Sequence, residues 1–343
     1  MEGVTGKRGK ASRRVRLEDL AQVCGVSIAT VSRALSGVDG VRPELVERIQ
    51  RAAQDFSYAP PSSLAGQKIM VLASEAAMVD YARSQFTLAM MQGLEERAGL
   101  LRAHITTRAI GSTGQERQAL DEAAHDPEIA GVLLVTLDDE DALLPTRGFP
   151  KPLVLVNGDD PSMRLSSIAP SNRAAGALAT EHLFSLGHRR ILFVMRRGRR
   201  TIERRFEGWR DRMLAHDAYD PALVVEVADW LPELAGAAIA ERLQRGQNFT
   251  AVVCAGDSLA FGVLRALKAA GIDVPGEVSV IGMDGLPQGA FHEPPLSAIE
   301  MPTRAIGAGA VDLLRDLRSG LPLPARRIEL ACRLLERGSC GKV

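Results

Sequence analysis

From Lys68 onward, short apolar runs rich in Val, Ile and Leu alternate with longer amphipathic segments, and no other feature restricts the fold of this chain as strongly. Ile69–Ala73, Leu101–Thr106, Gly131–Thr136, Leu153–Val156, Ile191–Met195, Leu223–Val227, Ala251–Cys254 and Val278–Gly282 read as strands. Phe86–Ala98, Asn172–Leu186, Leu234–Gln244 and Leu259–Ala270 read as helices between them. Apolar strands separated by helices bury both faces of a parallel sheet, so the pattern predicts an α/β core. That many strands over residues 68–343 accommodate either one barrel or two doubly wound domains. In open α/β sheets a ligand lies beyond the carboxyl ends of the strands. No internal repeat is apparent in the sequence.

Ahead of this core, Arg16–Gly37 reads RLEDLAQVCGVSIATVSRALSG. Leu17, Leu20, Ala21 and Val23 recur at helical spacing, and Gly25 can end that helix with a left-handed backbone. Ser27 can cap a second helix, Ile28–Leu35, through its hydroxyl. Two short helices joined by a tight turn containing glycine form a helix-turn-helix pattern, with Val26 and Val31 filling the wedge between them. The outward face of the second helix would carry Ile28, Ala29, Ser32 and Arg33, a mixture suited to a DNA groove. A third helix follows from Pro43 to Phe56, with Leu45, Ile49, Ala52, Ala53 and Phe56 on one stripe. Tyr58–Gln67, YAPPSSLAGQ, reads as a linker.

The 343-residue chain carries 42 Lys and Arg against 42 Asp and Glu, so global charge does not signal nucleic acid. The charge is uneven, however. Lys7, Arg8, Lys10, Arg13, Arg14 and Arg16 precede the first helix, opposed only by Glu2, and form a basic arm suited to phosphates. The four cysteines are scattered without a CxxC pair, which argues against a zinc site or disulfide framework and fits a reducing cytoplasm. The basic N-terminal segment is not followed by an apolar run, so neither a signal peptide nor a membrane span is expected. No GxSxG elbow, Walker A loop, HExxH or strand-borne GxGxxG occurs, so no catalytic residue, metal or cofactor is expected. His182 and His188 read as helix-end or surface residues, Asp138–Asp141 as a solvated acidic loop and Arg196–Arg200 as an exposed loop, with an anionic ligand or DNA as the alternative for those arginines.

The motifs resemble the LacI-type (lactose repressor-like) transcriptional regulators along nearly the whole chain. Leu17-Glu18-Asp19-Leu20-Ala21, Gly25-Val26-Ser27 and Thr30-Val31-Ser32-Arg33 are the most specific matches. Val41-Arg42-Pro43-Glu44, Tyr58-Ala59-Pro60, Leu186-Gly187-His188-Arg189, Arg205-Phe206-Glu207-Gly208, Ile281-Gly282-Met283-Asp284 and Pro294-Pro295-Leu296 continue it in order. The resemblance implies a basic, disordered arm over 1–14, a helix-turn-helix DNA-binding domain over 15–58 and a short hinge over 59–67. The remainder, 68–343, would be an effector-binding and dimerisation core like a periplasmic binding protein, two doubly wound parallel-sheet subdomains with crossovers near 168, 294 and 322. It further implies a cytoplasmic homodimeric repressor that binds a pseudo-palindromic operator in double-stranded DNA, with a small effector, a sugar or sugar derivative, in the core cleft.

By position in the family, Ser27, Thr30, Ser32 and Arg42 would hold phosphates, while Ile28, Ala29 and Arg33 would read the major groove. Arg16 stands where relatives usually have Thr and would add a phosphate contact. The stretch from Tyr58 to Leu64 is shorter than usual, and Leu64 would be the wedge for the minor groove, or else simply pack on the core. Phe86, Asn157, Asn172, Arg205, Trp230, Asp257 and Asp284 fall at effector-facing positions. Asp257 could instead cap a helix, Arg205 could form a subdomain ion pair and Ile28 could be partly buried. Relatives commonly have Asn-Asp where this chain has Gly256-Asp257, and often Gln where it has Met301. The rival readings are a solute-binding protein whose DNA-binding role is lost or secondary, and an α/β enzyme with an accessory DNA module.

Overall fold

The computed structural model describes residues 17–35, 40–56, 64–75, 77–78, 86–137, 140–246, 248–319 and 323–343. The expected basic arm, Arg16 and most of the hinge lie outside the described residues. Two compact units are present, one of Met1–Ala65 with Arg315–Leu323 and one of Gly66–Leu314 with Pro324–Val343.

In the small unit, α1 (Leu17–Cys24), α2 (Ile28–Leu35) and α3 (Pro43–Asp55) close around Leu20, Ala21, Cys24, Val31, Ala34, Ile49 and Ala52. Gly25 takes φ +61°, and the Val26 N–H returns to the Ala21 carbonyl at 3.0 Å, so the chain reverses within one turn. Val26 packs partly buried against this core. Arg48 on α3 donates to the Cys24 carbonyl at 2.8 Å and satisfies an acceptor at the open end of α1.

The large unit contains two six-stranded sheets. The first comprises β1 (Lys68–Ser74), β2 (His104–Ile110), β3 (Ile129–Val135), β4 (Leu153–Val156), β5 (Ser166–Pro170) and β11 (Arg327–Leu330), in the order β11-β5-β4-β3-β1-β2 and wholly parallel. The second comprises β6 (Ile191–Met195), β7 (Val224–Glu226), β8 (Ala251–Cys254), β9 (Ser279–Asp284), β10 (Ser297–Glu300) and β12 (Arg333–Leu335), in the order β12-β10-β9-β8-β6-β7. Its only antiparallel pair is β10 with β12. Two doubly wound sheets, rather than one barrel, are therefore what the alternating pattern builds. The strand order is the same in both, a repeat of topology that the sequence does not display.

Helices α4 (Phe86–Leu100), α5 (Thr113–His125) and α10 (Thr303–Leu317) serve the first sheet. Helices α6 (Asn172–Ser185), α7 (Arg200–Ala215), α8 (Pro232–Gln244) and α9 (Asp257–Ala269) enclose the second, whose core is centred on Phe193, Trp209 and the β8 and β9 strands. The crossings between sheets fall at Ser171, close to the expected 168, and at Met301–Pro302 and Ala331–Cys332 rather than near 294 and 322. The later two are displaced because β10 extends the second sheet to Glu300 and β11 adds an edge to the first up to Leu330; residue 322 itself lies outside the described residues. Strand β2 starts three residues later than its apolar run, because α4 continues to Leu100 and Arg102 makes the reversal with φ +58°.

Candidate functional site

On the small unit, Ser27 receives the Thr30 N–H at 3.1 Å on its hydroxyl, which also shares a hydrogen with Thr30 Oγ1 at 2.8 Å. This is the capping geometry expected of a serine before a helix, and it fixes where α2 begins. Val31 and Ala34 face inward while Ser27, Ile28, Ala29, Ser32 and Arg33 are exposed and Thr30 is half-buried. Ile28 is 47% exposed, so its side chain is accessible rather than partly buried in the small core. Arg33 reaches back only to the Ala29 carbonyl at 3.4 Å, leaving its guanidinium edge available. Arg42, exposed, starts α3 by accepting the Leu45 and Val46 N–H groups on its carbonyl. Leu64 is fully buried, so it must leave that burial to enter a minor groove.

On the large unit, a cleft of about 570 Å³ opens at the carboxyl ends of β1, β3, β6 and β9, where parallel strands reverse their order and loops leave room for a ligand. Of the seven residues expected there, Phe86, Asn157, Arg205, Trp230 and Asp284 line it. Asn172 and Asp257 stand behind the wall instead. Asn172 Oδ1 accepts from Arg205 Nε at 2.9 Å, and Asp257 accepts the Leu286 N–H at 2.7 Å while its own N–H donates to Asp284 Oδ2 at 3.1 Å. Arg205 is 4% exposed and also reaches the Ala255 carbonyl at 2.5 Å and Asp284 Oδ1 at 3.3 Å. One guanidinium thus ties the start of α6, the end of β8 and the end of β9 into a preorganised corner. The ion-pair role and the cleft-lining role of Arg205 coexist. Asp257 begins α9 as its first residue after Gly256, and its carboxylate is spent on the Leu286 loop rather than on a helix cap.

Gly256 is buried against Trp230 and Asp284, two residues of the cleft wall. A Cβ there would lie 3.1 Å from the Trp230 ring and 3.3 Å from Asp284 Oδ2, so the indole and the carboxylate leave little room for a side chain. Arg196 and Arg199, read from sequence as part of an exposed loop, line the cleft as well. Their position directly after β6 was the signal available, since residues following parallel strands face the ligand side. Phe261 and Gln288 also line the cleft without any sequence motif to mark them. His188 is not a surface residue: it is buried and bonded to Thr250 Oγ1 and Ser279 Oγ at 2.9 Å each and to the Gly341 carbonyl at 3.1 Å. Among the described residues no group of three His, Cys, Asp or Glu side chains could hold a metal ion, and no helix is long and apolar enough to cross a membrane.

Burial, with the Asp284 carboxylate alongside, pushes the Asp257 carboxyl from the ordinary 3.8 up to about 8. The folded protein therefore holds a proton there that the unfolded chain releases above about pH 4. Unfolding sheds that proton across the interval between the two values, so this group costs stability progressively as pH rises from 4 to 8. Asp257→Asn keeps the acceptor for Leu286 and has no proton to lose. Its urea midpoint is expected to match the parent near pH 4.5 and to exceed it increasingly up to pH 8. A constant difference across this range, measured with paired urea melts, would show that Asp257 is ionised in the fold.

Three packed helices with a polar outer face, carried on a chain whose other unit is a two-sheet ligand-binding fold, define a helix-turn-helix regulator. Residues 16–61 match the family described as bacterial regulatory proteins, lacI family, and residues 180–340 the periplasmic binding protein-like domain. The HTH-type transcriptional regulator reg1 of Streptomyces lividans is 32% identical over 335 residues, 94% of this chain and 96% of its own. MalR of Streptomyces coelicolor is 32% identical over 336 residues, again 94% and 96%. The solved structure of a transcriptional regulator CelR–cellobiose complex shares 28% identity with a TM-score of 0.73, covering 95% of this chain and 100% of that one. The chain belongs to the lacI family of bacterial regulatory proteins and is a DNA-binding transcriptional regulator.

Proposed function

We propose that this regulator is a cytoplasmic repressor that binds a pseudo-palindromic operator as a homodimer and is controlled by a small carbohydrate in the core cleft. The exposed face of α2 carries the reading: Ser27, Ile28, Ala29, Ser32 and Arg33 point outward from a helix whose inner side is buried. Ser27, Thr30, Ser32 and Arg42, with Arg16, hold phosphates and set register; Arg33 pairs with a guanine edge while Ile28 and Ala29 meet thymine methyl groups. Two such heads related by two-fold symmetry read two half-sites, with Leu64 of each entering the minor groove between them. The Arg205–Asp284 corner supplies the paired donors and acceptors that sugar hydroxyls need, and Trp230 and Phe86 supply faces for the ring. The similarity to a cellobiose complex supports a sugar there. Whether the ligand releases or tightens DNA follows from which arrangement of the protein it binds more strongly.

Selection from a randomised palindrome pool, followed by fluorescence anisotropy on the enriched DNA, tests this. A two-fold symmetric site with an affinity that falls steeply with salt is expected. Weak binding without an enriched site, by a folded protein, would favour a solute-binding role without DNA readout. On the enriched site, Arg33→Ala is expected to cost about 1–3 kcal/mol and to relax preference at one base pair of each half-site. Uniform weakening on all sequences would move Arg33 to the phosphate contacts.

A further inference from the structure

We propose that the ligand of this cleft is an anionic sugar, one bearing a carboxylate or a phosphate that sits on Arg196. The inference rests on the carbohydrate reading of the cleft and adds the charge of the ligand.

Arg196 leaves the end of β6 half-buried in the cleft wall. Four nearby arginines are neutralised by carboxylates. Arg197 meets Glu203 at 3.0 Å and Glu226 at 2.5 Å, Arg200 meets Asp159 at 2.6 Å, Arg204 meets Glu207 at 2.9 Å, and Arg205 meets Asp284 at 3.3 Å. Arg196 faces only the backbone carbonyls of Ala228 and Arg197, at 3.4 and 3.3 Å, and no carboxylate among the described residues pairs with it. Asp229, the other carboxylate of the cleft besides Asp284, is exposed to water and accepts the Trp230 N–H at 2.8 Å. A neutral ligand would seal a half-buried guanidinium away from water with nothing opposite it, whereas an anion completes a charge-assisted pair.

Two further observations agree. Helix α7, sixteen residues long, begins beside Arg196 with no side chain capping its first turn, so its positive pole faces the same end of the cleft. On the opposite wall Asn157 is 2% exposed, is held at φ +55°, and keeps a buried side-chain oxygen with no hydrogen-bond donor. That oxygen calls for a hydroxyl from the ligand, as Arg196 calls for an anion. Arg199 Nη2, three residues after Arg196, bonds to the Asn157 carbonyl at 2.7 Å and links the two walls. A hydroxylated ring with one negative substituent meets both, and a neutral sugar or a simple anion meets only one.

The test uses the full chain and isothermal titration calorimetry with D-glucose, D-galactose and cellobiose, the matching uronates and cellobionate, and the hexose 6-phosphates. At least one anionic sugar is expected to bind ten-fold or more tightly than its neutral counterpart, with the preference shrinking as salt rises. The uronate and phosphate arms show which anion is preferred. Arg196→Gln is expected to erase the preference with its melting temperature unchanged, while Arg117→Gln, an exposed arginine on α5, retains it. Equal or tighter binding of the neutral sugars, or a preference that survives in Arg196→Gln, overturns the proposal and leaves the carbohydrate reading standing. No heat from any sugar overturns both.

Discussion

Gly208→Ala is expected to destabilise the second half of the core by about 3 kcal/mol or more, the upper range for overpacking a close-packed interior. A Cβ at position 208 on α7 would lie 2.0 Å from the Arg173 carbonyl oxygen and 2.7 Å from the Ala177 nitrogen, both backbone atoms of α6. The contact is reciprocal: a Cβ on Gly176 of α6 would lie 2.0 Å from the Arg205 carbonyl oxygen. No rotamer change relieves a clash with backbone, so the two helices must separate. Separation pulls α7 from the second sheet, where Trp209 packs on Phe193 at 5.6 Å and on Phe206 at 5.6 Å between ring centroids. Gly99 near the end of α4 has open space where its Cβ would go, so Gly99→Ala should be neutral or stabilising through helix propensity. Urea unfolding followed by tryptophan emission reads both variants. A Gly208→Ala protein within 1 kcal/mol of the parent would mean the helices have more freedom than this crossing allows.

Arg205→Ala is expected to cost about 3 kcal/mol at neutral pH and to weaken the effector at least ten-fold. The guanidinium is the cation that stands against Asp284, and its removal also leaves Asn172 Oδ1 and the Ala255 carbonyl without their donor. Much of that cost is electrostatic, because the mostly buried Asp284 carboxylate loses the guanidinium beside it. Denaturant melts of parent and variant at pH 7 check the loss: a deficit below about 1 kcal/mol would show that the corner holds without the guanidinium. Arg205→Lys, which keeps the charge but not the fork of donors, should fall between them in stability and remain weak for the effector.

The parts of this architecture that depend on local order were legible in the residues. Helices α1 and α2 follow from the Leu17–Val23 spacing, the Gly25 stop and the Ser27 cap, each acting within one turn. Strands β1, β3, β4, β8 and β9 are buried on both faces, so their continuous apolar runs announce them. Strands β5, β10, β11 and β12 carry no such run. They are three to five residues long and rich in Ser, Ala, Glu or Arg, and only pairing with a neighbour makes them strands. The crossings at 301–302 and 331–332 follow from the ends of β10 and β11, so they share this cause.

For the site, the sequence marked α2 with its exposed face and five of the cleft-lining side chains, Phe86, Asn157, Arg205, Trp230 and Asp284. Tertiary structure alone decided which of them face the ligand. Arg205 and Asp284 are separated by 79 positions and meet because β6, β8 and β9 end on one side of one sheet. The same convergence turned Asn172 and Asp257 into supports behind the wall and brought Arg196 into it. Burial and charge pairing are properties of what surrounds a side chain, and those surroundings come from distant stretches of chain that no spacing rule connects.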